Sequence, residues 1–221
     1  MENIAENLKN ISISVDGAIR RSKFGQSVKI IAVTKTFGPE IVLEALKLGI
    51  FCFGENKVQE CKKKFIDILK DYPNTELHMI GRLQTNKVKD ALKLFHTIQT
   101  IDREKLAQEI KNRLTDDSVT KNFFIQVNVG NEYQKSGINL NECNNFIKWC
   151  KIDLDLNIVG LMCIPPEKED SGFYFDKLKT IADKNNITNL SMGMSSDYQD
   201  AIDKGSTHIR IGTLIFGKRN V

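Results

Sequence analysis

Lys35 directly closes the apolar run Val28 to Thr34 (VKIIAVT). A continuous run rich in β-branched residues suits a strand buried on both faces, as in a parallel sheet. At the end of such a strand an amine loses hydration, its neutral form gains weight, and it can attack a carbonyl to form a Schiff base. The plainer reading is a rim lysine whose stem covers apolar surface while its ammonium reaches water. Two later segments, SMGMSSD at 191–197 and RIGTLIFG at 210–217, combine small residues with hydroxyls. Small residues let backbone N–H groups approach an anion, and hydroxyls add donors. Ser195, Ser196 and Asp197 read as a helix start, whose positive end favours an anion. Taken singly, each loop reads equally well as a turn and cap. Arg210 lies between Ile209 and Ile211, and strand alternation turns it inward. A buried arginine keeps its proton and must be paired, so a salt bridge to a buried acid is the competing reading.

These residues need a frame that brings them together. Eight β-rich runs recur: Val28 to Thr34, Phe51 to Phe53, Glu76 to Ile80, His96 to Thr100, Phe123 to Val129, Asn157 to Ile164, Asn189 to Met192 and His208 to Ile211. Amphipathic segments alternate with them, among them Pro39 to Leu48, Lys57 to Lys70, Arg103 to Leu114 and Ser171 to Lys184. Pro39 at a helix start and Gly49 past its end are the expected punctuation. An extra helix, about Ile4 to Ser22, precedes the first strand. Parallel strands need crossover helices, and this number of βα units predicts a single (β/α)₈ barrel over residues 1–221, with an open doubly wound sheet as the rival. No low-complexity linker divides the chain. Barrel enzymes place their sites at the C-terminal strand ends, where Lys35, Asn56, Ser195, Gly212 and Thr213 would fall.

Composition narrows the classes. A formal net charge of +4, with acids and bases interleaved, gives no nucleic-acid footprint. The run Lys62-Lys63-Lys64 reads as a solvated helix face. No apolar stretch reaches signal-peptide or membrane-span length, so a cytoplasmic protein is expected. Five cysteines without CxxC spacing suggest neither a disulfide framework nor a metal site.

Several blocks together resemble one family. AVTK (32–35), FGENKVQE (53–60), HMIGRLQTNK (78–87), QKSG (134–137), GLMCIP (160–165), LSMGMSSD (190–197) and RIGTLIFG (210–217) are similar to the signature blocks of the pyridoxal phosphate homeostasis proteins. The resemblance covers nearly the whole chain. It implies the barrel of the alanine racemase N-terminal domain, carrying pyridoxal 5′-phosphate (PLP) as a Schiff base on Lys35. It also implies that Ser195, Gly212 and Thr213 hold the phosphate and that Arg210 faces the pyridine nitrogen, with Asn56, Met162 and Ser191 in the pocket wall. An arginine there keeps the ring nitrogen unprotonated and weakens the ring as an electron sink. The chain departs from the family pattern at Lys57 and Phe37, both expected near the pocket entrance. Lys135 matches a block whose lysine the resemblance implies to meet anionic groups or a second cofactor molecule.

The function implied is storage, protection or delivery of PLP without turnover, with PLP as the small-molecule partner and transient contact with PLP-dependent apoenzymes. A monomer is expected, because the racemase dimer relies on a second domain that also supplies a second acid/base. The alternatives are a PLP-dependent racemase or lyase, with His78 as a candidate acid, and a PLP-free Schiff-base aldolase. Beside a strand, a histidine such as His78 reads more simply as a satisfied core residue.

Overall fold

The computed structural model describes residues 3–217. Eight parallel strands close into a barrel: β1 (Lys29–Val33), β2 (Cys52–Glu55), β3 (Glu76–Met79), β4 (Thr97–Ile101), β5 (Asn122–Asn128), β7 (Ile158–Cys163), β8 (Asn189–Met194) and β9 (His208–Ile211). Closure comes from the β4–β5 and β1–β9 pairings, which exclude the open sheet. A two-residue strand that the sequence did not signal, β6 (Ile138–Asn139), pairs with the end of β5.

Around the barrel run α2 (Pro39–Lys47), α3 (Val58–Phe65), α4 (Ile68–Asp71), α5 (Val88–Leu94), α6 (Glu104–Arg113), α7 (Leu140–Ile152), α8 (Ser171–Lys184), α9 (Tyr198–Asp203) and α10 (Thr213–Phe216). The expected helix from Lys57 to Lys70 is therefore two pieces, separated at Ile66 and Asp67. The expected N-terminal helix is α1 (Ile4–Arg21), capped by Asn3, whose side chain accepts from the Glu6 N–H. It lies against α9 and α10, with Asn7 donating to the Ile215 carbonyl at 3.0 Å and Tyr198 donating to Ser14 at 2.8 Å. That packing fixes the two short helices that follow β8 and β9.

Outward strand residues pack against the helices. Phe53 and Phe65 are fully buried with ring centroids 5.6 Å apart, and burying one such ring stabilises by roughly 1.5–3 kcal/mol. Inside the barrel, close approach decides residue size. A Cβ on Gly160 would lie 2.2 Å from the Phe124 ring, so only glycine lets that ring lie flat on β7. Much of the barrel lumen is polar instead of aliphatic: Gln99, Ser191, His78 and Arg210 are all buried.

Candidate functional site

The expected site residues fall on five adjacent staves of the barrel, in the order β7, β8, β9, β1, β2. Met162 and Ser191 are register partners across β7 and β8, and both are fully buried. Arg210, on β9, donates to Ser191 Oγ at 2.7 Å and to the Cys163 carbonyl at 2.8 Å. Among the described residues it makes no salt bridge, so the competing reading of a buried acid as its partner does not hold. Burial lowers its pKa, with Cys163 and Asp197 opposing, yet a guanidinium keeps its proton. Two neutral oxygens thus hold a cation in the lumen.

Lys35 follows the end of β1 and is half-buried. Ile31 pairs with Arg210 and Ala32 with Ile211. Lys35 therefore stands beyond Arg210 toward the mouth, beside the Gly212–Thr213 turn that begins α10. The first N–H groups of any helical turn have no partner within it. Ser195 sits in the neighbouring turn after β8. Asn56 follows β2 and lines a cavity of about 820 Å³ with Arg82, Asn86, Lys87 and Arg103.

One detail of the expected site differs. Asp197 does precede α9, but its carboxylate turns back to accept from the Met194 N–H at 2.6 Å and makes no bond to the first turn of that helix. Its burial raises its pKa, and its carboxylate already faces this turn, so the case for an anion there rests on Ser195 and the Gly212–Thr213 turn. Lys135 bonds Glu132 at 2.6 Å and the Pro165 carbonyl at 3.1 Å. Phe37, one of the departures from the family pattern, packs on Phe216 with centroids 5.5 Å apart, joining the Lys35 loop to α10. Lys57, the other, is exposed.

A cluster behind β1 escaped the sequence reading. Lys64 Nζ donates to the Thr34 carbonyl and to Glu55 Oε1, both at 2.7 Å, and Thr34 Oγ1 donates to the same carboxylate oxygen at 2.7 Å. Glu60 accepts from the Thr36 N–H at 2.6 Å. Thr36 has φ +71°, a left-handed conformation that costs a β-branched residue about 1–2 kcal/mol. Both neighbours of Lys35 are thus pinned from the helix side, which fixes where its stem emerges. Lys62 and Lys63 are exposed as expected, but Lys64 is 6% exposed. The signal was present: Lys64 is three residues after Cys61 and one before Phe65 on the buried stripe Val58, Cys61, Phe65 and Ile68. His78 is a satisfied core residue, as its context suggested, with both ring nitrogens hydrogen-bonded.

The donor set can be tested against PLP on chemistry alone. An amine at the mouth, a fixed cation in the lumen and hydroxyl and backbone donors on adjacent turns match an aldehyde, a pyridine nitrogen and a phosphate. Residues 3–220 match the family described as alanine racemase, N-terminal domain. The chain is 37% identical to the pyridoxal phosphate homeostasis protein of Aquifex aeolicus, covering 98% of this chain and 99% of that one. It is 34% identical to the protein of the same name from Escherichia coli K12, covering 100% and 98%. The solved structure of PipY from Synechococcus elongatus with PLP bound has TM-score 0.81 at 29% identity, covering 97% of this chain and 100% of that one. An alanine racemase of Clostridium difficile matches with TM-score 0.70 at 15% identity, over 97% of this chain and 58% of that one, a likeness of fold. The chain belongs to the pyridoxal phosphate homeostasis protein family, built on the alanine racemase N-terminal barrel.

Proposed function

We propose that this chain binds PLP as a Schiff base on Lys35 and serves to store, protect or deliver it, without turnover of its own. The observation that carries this reading is the placement of Lys35 in the same barrel mouth as an inward Arg210 that makes no salt bridge among the described residues. When bound, PLP supplies a reactive aldehyde and an electron-withdrawing ring. Lys35 would hold the aldehyde carbon, Arg210 the ring nitrogen, and Ser195, Gly212 and Thr213 the phosphate, with Asn56, Met162 and Ser191 walling the ring. A guanidinium retains its proton, so the ring nitrogen facing it stays unprotonated and carbanion chemistry is disfavoured. That weighs against transaminase-type chemistry while leaving a Schiff base on Lys35 intact. The PLP-bound PipY structure and the names of the relatives support the carrier assignment. The reading includes one cofactor-binding domain, a cytoplasmic monomer, and transient contact with PLP-dependent apoenzymes.

The test is the visible spectrum of wild type and Lys35→Ala after incubation with PLP, followed by borohydride reduction and peptide mass analysis. The expected result is a yellow wild type, a colourless variant and a pyridoxyl adduct on the Lys35 peptide. A wild type that stays colourless overturns the assignment. Amino-acid α-proton exchange faster than with free PLP overturns the absence of turnover.

A further inference from the structure

A line of side chains crosses the barrel lumen from Arg210 to the opposite mouth. Arg210 Nη1 donates to Ser191 Oγ at 2.7 Å, and Ser191 Oγ donates to Gln99 Oε1 at 2.6 Å. Gln99 Nε2 lies 2.8 Å from His78 Nδ1, and His78 Nε2 lies 2.8 Å from Glu76 Oε1. Lys29 closes the line at 2.6 Å from Glu76 Oε2. Ser191 and Gln99 are fully buried, His78 is 1% exposed and Arg210 4%.

A guanidinium has donors only, so Ser191 Oγ accepts from Arg210. Ser191 Oγ in turn donates to the Gln99 carbonyl oxygen. Gln99 then presents its carbonyl to Ser191 and its amide N–H to His78. His78 Nδ1 must accept, so the proton of the neutral ring sits on Nε2 and is donated to the Glu76 carboxylate. Four bonds point one way, from a buried cation to an anion that no salt bridge joins to it. Aligned hydrogen bonds in a low-dielectric interior polarise one another. Among the described residues no carboxylate is salt-bridged to Arg210 directly, and the line links it to one through the lumen.

We propose that Gln99 and His78 are positioning residues for the cofactor site: they hold Arg210 and orient its charge from the far mouth of the barrel. This rests on the reading that Arg210 faces the ring nitrogen. Cys52, Glu76 and His78 also place three donor atoms within 4.8 Å of one another, as a metal site would. The chain opposes that use, because His78 Nε2 carries its proton and Lys29 already occupies the Glu76 carboxylate.

Nitrogen-15 NMR of histidine-labelled protein without cofactor reads the tautomer of His78. The expected signature is a protonated Nε2 and a bare Nδ1, lost in Gln99→Leu and converted to a protonated Nδ1 in Gln99→Glu. On PLP addition, Gln99→Leu is expected to raise the dissociation constant about tenfold, the factor for one lost hydrogen bond, and to shift the visible band. Glu76→Gln, at the partly exposed end, keeps an acceptor and removes the charge, so it offers the same test should Gln99→Leu not fold. A proton on Nδ1 in wild type, zinc bound by wild type with loss of the Nε2 proton, or an unchanged band and affinity in folded Gln99→Leu or Glu76→Gln overturns the proposal. A wild type with the expected tautomer but no PLP uptake sinks the cofactor reading and this role with it, leaving a structural chain.

Discussion

Two lysine–glutamate pairs stand at opposite ends of the barrel. Lys64 meets Glu55 at 2.7 Å behind the end of β1, and Lys29 meets Glu76 at 2.6 Å at the other mouth. Length does not separate them, but burial does. The Lys64 and Glu55 side chains are 4% and 0% exposed, those of Lys29 and Glu76 43% and 30%. Desolvation raises the Glu55 pKa even with an ammonium against it, and its Oε2 has no hydrogen-bond partner among the described residues. Glu76 is lowered to about 2, chiefly by the His78 hydrogen bond. A dry pair of this kind adds little net stability, because desolving both ions offsets their attraction. What it adds is geometry: Lys64 holds the Thr34 carbonyl and Glu60 the Thr36 N–H, on either side of Lys35. The wet pair keeps its charges near water and closes the line that runs to Arg210.

The sharpest way to break this contrast is Lys64→Met. It leaves Glu55 charged and unpaired in the interior, and the expected cost is about 3–5 kcal/mol. Denaturant midpoints at neutral pH measure it. Adding Glu55→Gln in the same chain should recover a large part, since the orphaned charge is then gone. A loss below ~1 kcal/mol for the single variant would mean that the interior there is not dry.

Acid comes next, and it acts on the other mouth. His208 is lowered to about 3, first by burial and then by His78 and Lys29, with Glu76 opposing. Its ring packs edge-on to Phe124, 5.3 Å between centroids. A histidine with a depressed pKa binds its proton more readily when unfolded. Its contribution is therefore fully present above about pH 6.5 and is lost as pH falls toward 3. Glu76 adds loss in the same direction between about pH 4.5 and 2. The buried acids Glu55 and Asp197, whose pKa values are raised, oppose this trend. The expected outcome is a stability curve whose acid limb falls by a few kcal/mol, with His208→Gln flattening it between pH 6.5 and 3. Unfolding midpoints across that range decide the matter, and an unchanged limb would assign the acid loss to other groups.

Sequence patterning carried the barrel, because alternating β-rich and amphipathic runs report local burial directly. It also carried the placement of Lys35 just past the end of β1 and of Arg210 inside the barrel, each a cation set in an apolar strand context. What it missed depends on contacts between distant strands. Gln99 lies in His96 to Thr100, a run whose local pattern says strand and no more. Its role exists only because closure of the barrel sets it between Ser191 of β8 and His78 of β3. Lys64 was hidden by its neighbours: two exposed lysines made the run look solvated, while helical spacing put the third on the buried stripe with Cys61 and Phe65. The carboxylate of Asp197 followed the tight turn at Gly193, φ +94°, instead of capping α9. Turn geometry of that kind is not written in residue type alone.

Lys29→Met is the smallest and most discriminating change. The pair it breaks is half in water, where an ion pair contributes about 0–1 kcal/mol, so the expected stability loss lies in that range. Glu76 keeps the His78 hydrogen bond, the largest cause of its lowered pKa, and stays ionised at neutral pH. The line from Glu76 to Arg210 should therefore persist, with His78 still protonated on Nε2. Denaturant midpoints and the His78 nitrogen-15 spectrum of the same sample check both halves. A loss as large as that of Lys64→Met would show that the lower mouth is as dry as the cluster behind β1. An altered His78 tautomer with unchanged stability would place the anchor of the line on Lys29 instead of on the carboxylate.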